Sequence, residues 1–92
     1  MTYAIKQTNQ FKKQYKLMQK RGADMNVLHS IVKALSCGEL LPPKNRDHPL
    51  GGDWAGYREC HIAPDWLLVY RMDADALVLW LMRTGTHSDL FI

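Results

Sequence analysis

Two apolar runs decide the fold: WLLVYR at residues 66–71 and ALVLWLM at residues 76–82. Both are dense in Leu, Val and aromatic side chains, as strands covered on at least one face are. The segment between them, Met72-Asp73-Ala74-Asp75, is short enough for a hairpin turn. The two runs therefore predict a pair of antiparallel strands.

Two further strands are predicted outward from this pair. Tyr57 to Ile62 alternates in side-chain character, which would place Tyr57, Glu59 and His61 on one side of its strand. Tyr3 to Gln7 is predicted to form a short first strand.

The region between the first two strands carries two helical patterns. Apolar residues recur at the spacing of one buried helical face. They are Phe11, Tyr15 and Met18 in the first helix and Leu28, Ile31, Val32 and Leu35 in the second. Thr8 and Asp24 are the predicted N-caps, and Gly22 and Gly38 the predicted stops. The sequence thus predicts an α+β fold, β-α-α-β-β-β, with a two-helix hairpin on one face of a mostly antiparallel sheet.

Length and composition fit one domain over residues 1–92. The formal net charge of +3 and a pI near 9.0 favour an anionic partner. No signal peptide is recognised, so Cys37 and Cys60 are expected to be reduced thiols. The longest apolar run, residues 76–82, is far too short to cross a bilayer. A cytoplasmic protein without membrane contact is expected.

Titratable and aromatic side chains gather where predicted strands and turns end. The candidate site residues are His48, His61, Asp65, Arg83, His87 and Phe91. Their order along the chain contains none of the short Cys and His spacings typical of metal sites. Imidazole suits proton transfer because its ordinary pKa of about 6.5 lies near working pH. Acid–base chemistry is therefore favoured over metal binding, and no cofactor is predicted.

RNA cleavage is a reaction that needs such a set of groups. One group takes the 2′ proton, another protonates the departing 5′ oxygen, and a cation stabilises the phosphorane. Arginine suits the last role because its planar donors match phosphate oxygens. An aromatic ring such as Phe91 could stack on a base.

A stripe of lysines is predicted on the first helix, roughly opposite its apolar face. Its members are Lys12, Lys13, Lys16 and Lys20. They could bind a phosphate backbone or form an ordinary solvated face, and the pattern leaves both open.

Several candidate residues, taken singly, could also have a structural role. Asp65 could shape a turn, Phe91 could plug the core, and His48 or His61 taken alone is more often structural. His29 is interpreted as a surface residue. The three tryptophans are assigned to the core.

Several short motifs in the same order resemble the YafQ-type toxins of the RelE/ParE toxin–antitoxin superfamily. They are Asp47-His48-Pro49-Leu50, Trp54-Ala55-Gly56-Tyr57-Arg58, His61, Pro64-Asp65-Trp66, and Arg83-Thr84-Gly85-Thr86-His87 with Phe91. The resemblance implies a RelE/ParE-like fold and a ribosome-dependent endoribonuclease that cuts mRNA in the decoding site. The acid–base groups described above would make this cleavage independent of a metal. It also implies a cognate antitoxin, contact with 16S rRNA, and operator DNA only through the antitoxin complex.

The resemblance assigns the six candidate site residues to the active site. Our hypothesis makes His87 the general acid and Asp65 or His48 the base. His61 would support phosphate charge or orient a partner, Arg83 would stabilise the transition state, and Phe91 would orient the mRNA. The lysine stripe together with Arg21 would hold ribosomal RNA.

Three rival interpretations remain. A ParE-like protein on the same scaffold would inhibit DNA gyrase by binding alone. The three histidines with Asp65 could hold zinc. A purely structural module could pair through a sheet edge, although this leaves the polar set unexplained.

Overall fold

The computed structural model describes residues 2–90, which form five strands and three helices. In chain order these are β1 (Ala4–Gln7), α1 (Asn9–Lys20), α2 (Met25–Ser36), β2 (His48–Pro49), β3 (Arg58–Ala63), β4 (Trp66–Asp73), β5 (Val78–Gly85) and α3 (His87–Leu90). Short 3-10 turns at Pro43–Asn45 and Gly52–Trp54 flank β2.

The strands form one sheet in the order β1-β5-β4-β3-β2. β1 is parallel to β5, and the other three pairings are antiparallel. Between β1 and β2 the helical segment carries the chain from one edge of the sheet to the other. The predicted α+β architecture is confirmed. The two-residue β2 and the short α3 are additions that the sequence did not predict.

Capping fixes the ends of the two long helices as predicted. The Thr8 hydroxyl accepts a hydrogen bond from the Phe11 amide at 3.0 Å, and Asp24 accepts one from the Asn26 amide at 3.1 Å. Gly22 follows α1 with φ +84°, a left-handed conformation that glycine adopts without steric cost.

The helices pack on one face of the sheet, where most of the core lies. Phe11 and Leu28 on the helices are each 1% exposed, and they pack with Cys60, Leu68 and Leu79 on the strands. The opposite face has a smaller buried cluster of Leu67, Val69 and Leu90. Partly buried apolar side chains, including Trp54 and Tyr57, pack against this cluster, and the candidate site lies on the same face.

The last hairpin lies further along the chain than predicted. β5 begins at Val78 and not at Ala76, because Ala76 donates its amide to Asp73 in the turn and Leu77 is left-handed at φ +54°. The strand continues to Gly85, whereas the predicted strand ended at Met82. Arg83 therefore lies within β5 and not beyond its end.

Two of the three tryptophans are only partly buried. Trp66 is 6% exposed and belongs to the core, as predicted. Trp54 and Trp80 are half-buried, and each lies against a cation, Arg83 and Lys6 respectively.

Cys37 is exposed and Cys60 buried, and both are free thiols. Burial raises the pKa of the Cys60 thiol to about 12, so it stays protonated. Within residues 2–90, no helix has both the length and the apolar character needed to span a membrane.

Candidate active site

Strand register brings three of the candidate residues to the face of the sheet opposite the helices, the open face. His48 pairs with Glu59, Glu59 with Val69, and Val69 with Arg83, forming one row across β2, β3, β4 and β5. Paired residues on neighbouring strands project to the same side. His48 and Arg83, which are 35 positions apart in the sequence, therefore mark the two ends of one row.

A second row lies beside the first. His61 pairs with Leu67, and Leu67 pairs with Gly85. Because His61 follows Glu59 by two residues, both project from β3 to the same face. This confirms the side predicted from alternation. Gly85 ends β5, and α3 starts two residues later at His87.

Asp65 and His87 form a directly hydrogen-bonded pair in the site. Asp65 Oδ1 accepts a hydrogen bond from the His87 ring Nδ1 at 2.7 Å and another from the His87 amide at 3.1 Å. These bonds from His87 hold the pKa of the Asp65 carboxyl below its ordinary value. Since a carboxylate only accepts, the bond places the proton on Nδ1 and turns Nε2 outward.

Glu59 lies between two histidines. Its Oε1 is 3.7 Å from Nε2 of His48 and 4.0 Å from Nε2 of His61. The residue is 7% exposed, so this carboxylate lies largely out of water with an imidazole on either side of it. Sequence reasoning put Glu59 on this face but did not include it in the site; its position two residues before His61 was the available signal.

A backbone carbonyl fixes the tautomer of His48. The Arg46 oxygen lies 2.7 Å from His48 Nδ1, and a carbonyl oxygen can only accept, so Nδ1 carries the proton. Neutral His48 then has its lone pair on Nε2, the atom that a general base uses.

His61 links the two halves of the site. Its ring centroid is 5.6 Å from that of His87. The open face therefore carries a continuous line of titratable groups in the order His48, Glu59, His61, His87 and Asp65. The structure brings these groups together from two strands, a turn and a helix.

Arg83 is held by the end of α3. Its guanidinium donates to the carbonyl oxygens of Leu90 at 3.2 Å and Asp89 at 3.5 Å, and it lies 5.6 Å from the Trp54 ring. Its Nε is buried and has no hydrogen-bond partner among residues 2–90. The cation is thus fixed on the face that carries the histidines.

A capping box anchors the short helix that carries His87. Asp89 Oδ2 accepts from the Thr86 amide at 2.9 Å, while Thr86 Oγ1 accepts from the Asp89 amide at 3.2 Å. Asp89 packs so closely on Gly85 that an added Cβ would lie 2.9 Å from its side chain. Asp89 is a second residue that sequence reasoning missed, although the Thr86-His87-Ser88-Asp89 segment contained the capping pattern.

Arg21 reaches this anchor from α1. Its Nη1 lies 2.8 Å from Asp89 Oδ2. Arg21 and the bonds from Thr86 together lower the pKa of Asp89 to about 2. Arg21 therefore contacts α3, the helix that carries His87. Its predicted RNA-binding role did not include this contact.

The other predicted RNA-binding cations are solvent-exposed. They are Lys12, Lys13, Lys16 and Lys20. They lie on α1, on the far side of the sheet from the histidines. Phe91, the sixth predicted site residue, lies outside the described residues.

The histidines and Asp65 do not meet as a ligand set for the rival zinc site. Across residues 2–90, no three His, Cys, Asp or Glu side chains converge closely enough to hold a metal ion. His29, interpreted as a surface residue, is exposed and lies 2.6 Å from the Tyr15 hydroxyl.

Known proteins resemble this chain over nearly its whole length. Residues 3–92 match the family described as the bacterial toxin of the type II toxin–antitoxin system, YafQ. The mRNA interferase toxin YafQ of Escherichia coli strain K12 is 47% identical over 88 residues, covering 95% of this chain and 94% of that protein.

Solved structures agree with the fold. A chain of the Escherichia coli DinJ–YafQ toxin–antitoxin complex is 41% identical, with a TM-score of 0.90 and coverage of 100% of both chains. A metal-bound toxin from Helicobacter pylori is 41% identical, with a TM-score of 0.92 and coverage of 99% of this chain and 100% of that one.

Proposed function

The chain belongs to the YafQ family of bacterial toxins of type II toxin–antitoxin systems, and we propose that it is a ribosome-dependent endoribonuclease that cuts mRNA in the decoding site. Its relative from Escherichia coli bears the name mRNA interferase, a cleaver of mRNA. The observation that carries the proposal is the line of titratable groups from His48 to Asp65, with Arg83 on the same face.

The general acid is His87. Its Nδ1 is bonded to Asp65, so Nε2 is free to protonate the departing 5′ oxygen when the ring is cationic. Asp65 is thereby engaged as the orienting partner, which makes it the weaker of the two candidate bases.

The general base is His48. Its Nδ1 is bonded to the Arg46 carbonyl, which leaves the Nε2 lone pair to accept the 2′ proton. His61 lies between the acid and the base and supports the phosphate between them. Arg83 supplies fixed positive charge for the phosphorane, and Phe91 orients the mRNA.

Every step in this scheme uses only protein side chains and the RNA's own hydroxyl, so the reaction needs no metal. The metal-bound relative makes this worth testing directly. Cleavage by the purified toxin should be unchanged after EDTA treatment and exchange into ribosome buffer containing only magnesium. Loss of cleavage, restored by added zinc or copper, would contradict the scheme.

The proposed partners follow from the same role. A cognate antitoxin would neutralise the toxin, as the complex of the Escherichia coli protein suggests, and operator DNA would be reached only through that complex. The lysines of α1 would hold 16S rRNA. Such a substrate places the working protein in the cytoplasm.

Primer extension on a defined mRNA in a purified translation reaction tests the function. Discrete cuts within codons are expected on translating ribosomes, and they should disappear with His87→Ala. An exposed histidine variant, His29→Ala, serves as the matched control and should cut normally. Intact mRNA with the wild-type toxin would contradict the proposal and favour a ParE-like, binding-only toxin.

A further inference from the structure

A cationic cleft opens beside the catalytic histidines. It has a volume of about 450 Å³ and is lined by Lys44, Asn45, Arg46, His61, Ile62, Ala63 and Pro64. This volume falls within the usual range of small-ligand sites, about 300–1,000 Å³. His61 belongs to both the cleft and the line of titratable groups, so a ligand in the cleft would lie next to the reacting phosphate.

The wall that carries the two cations is a built structure. Asn45 is 6% exposed, and its side-chain amide donates to the His61 carbonyl oxygen at 2.8 Å. The Arg46 amide donates to the Pro43 carbonyl oxygen at 3.1 Å. The first bond fixes the loop to β3 and the second closes a turn within the loop, so Lys44 and Arg46 project from a defined position.

Arg46 has a backbone conformation that its side chain does not favour. Its φ is +47°, in the left-handed region where glycine and asparagine are more common. Strained residues of this kind cluster at functional sites. The same turn presents the Arg46 carbonyl to His48, so the strain also serves the proposed base.

Both cations are available to a ligand. Lys44 and Arg46 are exposed, and among residues 2–90 no carboxylate lies within 4.0 Å of either one. The neighbouring Asp47 instead accepts from Arg58 and Tyr70. The cleft therefore has positive charge that the described residues leave uncompensated.

We propose that this cleft binds the backbone phosphate of the mRNA nucleotide next to the cut, with Lys44 and Arg46 as its ligands. The inference rests on the proposed nuclease function, and it adds a substrate subsite to it. An extended RNA strand that enters the site at His61 would continue into the cleft, where the two cations neutralise the adjacent phosphodiester.

Single-turnover cleavage on programmed ribosomes tests the subsite at subsaturating toxin. The mRNAs carry one neutral methylphosphonate at successive linkages on either side of the cut, never at the cut itself. A methylphosphonate at one of the linkages adjacent to the cut should slow cleavage by the wild-type toxin about tenfold. In the double variant Lys44→Gln/Arg46→Asn, which is slower on normal mRNA, that linkage should have no further effect.

The variants are chosen to preserve the fold. Asparagine tolerates the left-handed backbone of Arg46, and Lys44 is exposed. Arg71→Gln removes an exposed charge elsewhere and should keep the wild-type response to each linkage. If the double variant and the methylphosphonate slow cleavage by independent factors at every linkage, the proposal is wrong. The same holds if the double variant loses ribosome binding, because the cations would then contact rRNA.

A second readout separates failure of the subsite from failure of the nuclease function. The free toxin is titrated with an RNA trinucleotide whose 2′-O-methyl groups prevent cleavage. NMR signals of the Lys44, Arg46 and Ala63 amides should shift, and the shifts should shrink at least threefold in the double variant. Unmoved signals at millimolar trinucleotide would overturn the subsite, whether or not the toxin cuts mRNA.

Discussion

The bond between Asp65 and His87 is the residue-scale feature on which the proposed chemistry depends. The Asp65 carboxylate is exposed, yet it accepts both the ring Nδ1–H and the amide of His87. Two bonds from one residue fix the ring's orientation as well as its tautomer. The carboxylate can therefore direct Nε2 toward a substrate without touching the substrate itself.

This pair predicts a specific carboxyl titration. His87 lowers the pKa of Asp65 from its ordinary value of 3.8. The bonds from His87 to the Asp65 carboxylate therefore stabilise the folded protein fully above pH 3.8. This contribution is lost as the pH falls through the lower pKa that Asp65 has in the folded state. In His87→Ala, carboxyl-carbon NMR should show the Asp65 pKa rising toward 3.8.

Asp89 provides the internal control for that titration. Its pKa of about 2 depends on Arg21 and Thr86, so it should remain low in His87→Ala. An Asp65 pKa that stays equally low in the variant would show that His87 is not the cause, and the orienting bond would have to be abandoned.

Glu59 shows what residue-level sequence reasoning could and could not predict. The histidines and Asp65 stood out because they interrupt apolar runs or lie beside proline and glycine. Alternation also placed Glu59 beside His61. Its burial between His48 and His61, however, depends on β2, a two-residue strand that no sequence periodicity reveals.

A matched pair of variants tests Glu59. Glu59→Gln keeps the shape of the side chain and removes the charge between the histidines, so cleavage should slow about tenfold or more. Glu39→Gln, at an exposed position, should leave the rate unchanged. Normal single-turnover cleavage by Glu59→Gln would show that this carboxylate has no part in the reaction.

At the scale of elements, α3 is a four-residue helix held in place almost entirely by its anchors. A helix this short is not stable alone. The capping box, the Arg21–Asp89 ion pair and the bonds from Arg83 fix it from three directions. The position of His87 is therefore set by residues that do not touch the substrate.

Asp89→Ala should expose this dependence. The change removes the acceptor for the Thr86 amide and the partner of Arg21, so α3 loses two of its anchors. Cleavage on ribosomes should slow at least tenfold, while the affinity for ribosomes stays the same. Asp75→Ala, in the exposed turn before β5, is the control.

Affinity and rate must be measured separately for Asp89→Ala, by co-sedimentation and by single-turnover cleavage at saturating toxin. A normal rate at saturation would show that the anchors do not position His87. Weaker binding with a normal rate would instead make the Arg21–Asp89 pair part of the ribosome contact.

The long elements were predictable because each carries its own local signals. Both helices have caps and a regular apolar spacing, and both matched the prediction. The start of β5 was wrong because Ala76 and Leu77 are apolar but belong to the turn, where a hydrogen bond to Asp73 decides their conformation. α3 was missed because its stability comes from Arg21, 68 positions from Asp89.

At the scale of the whole molecule, the lysine stripe and the histidines lie on opposite sides of the sheet. The protein measures only 35 × 30 × 28 Å. A toxin bound in the decoding site could therefore contact rRNA through α1 while mRNA lies on the open face. The proposed ribosome-dependent nuclease requires such an arrangement, with separate surfaces for rRNA and mRNA.

Neutralising the stripe should weaken ribosome binding without unfolding the protein. Its four lysines are exposed, so their replacement by glutamine should leave the melting temperature nearly unchanged. The slope of log affinity against log salt should become shallower by roughly 0.7 to 0.9 for each rRNA phosphate that the variant no longer neutralises.

Co-sedimentation with ribosomes across a salt series measures that slope. Removing only Lys33, an α2 lysine outside the stripe, is the charge control and should leave the slope unchanged. Identical salt dependence for the wild-type and four-lysine variants would show that the stripe is an ordinary solvated surface.

The most direct test of the account is the role of His87 as general acid. Single-turnover cleavage is measured on ribosomes with normal mRNA and with mRNA carrying a 5′-bridging sulfur at the cut, because a thiolate departs without a proton. His87→Ala should be at least about a hundredfold slower than wild type on normal mRNA, and nearly equal to wild type on the sulfur substrate. An equally large defect on both substrates, or no defect on normal mRNA, would contradict the assignment of His87.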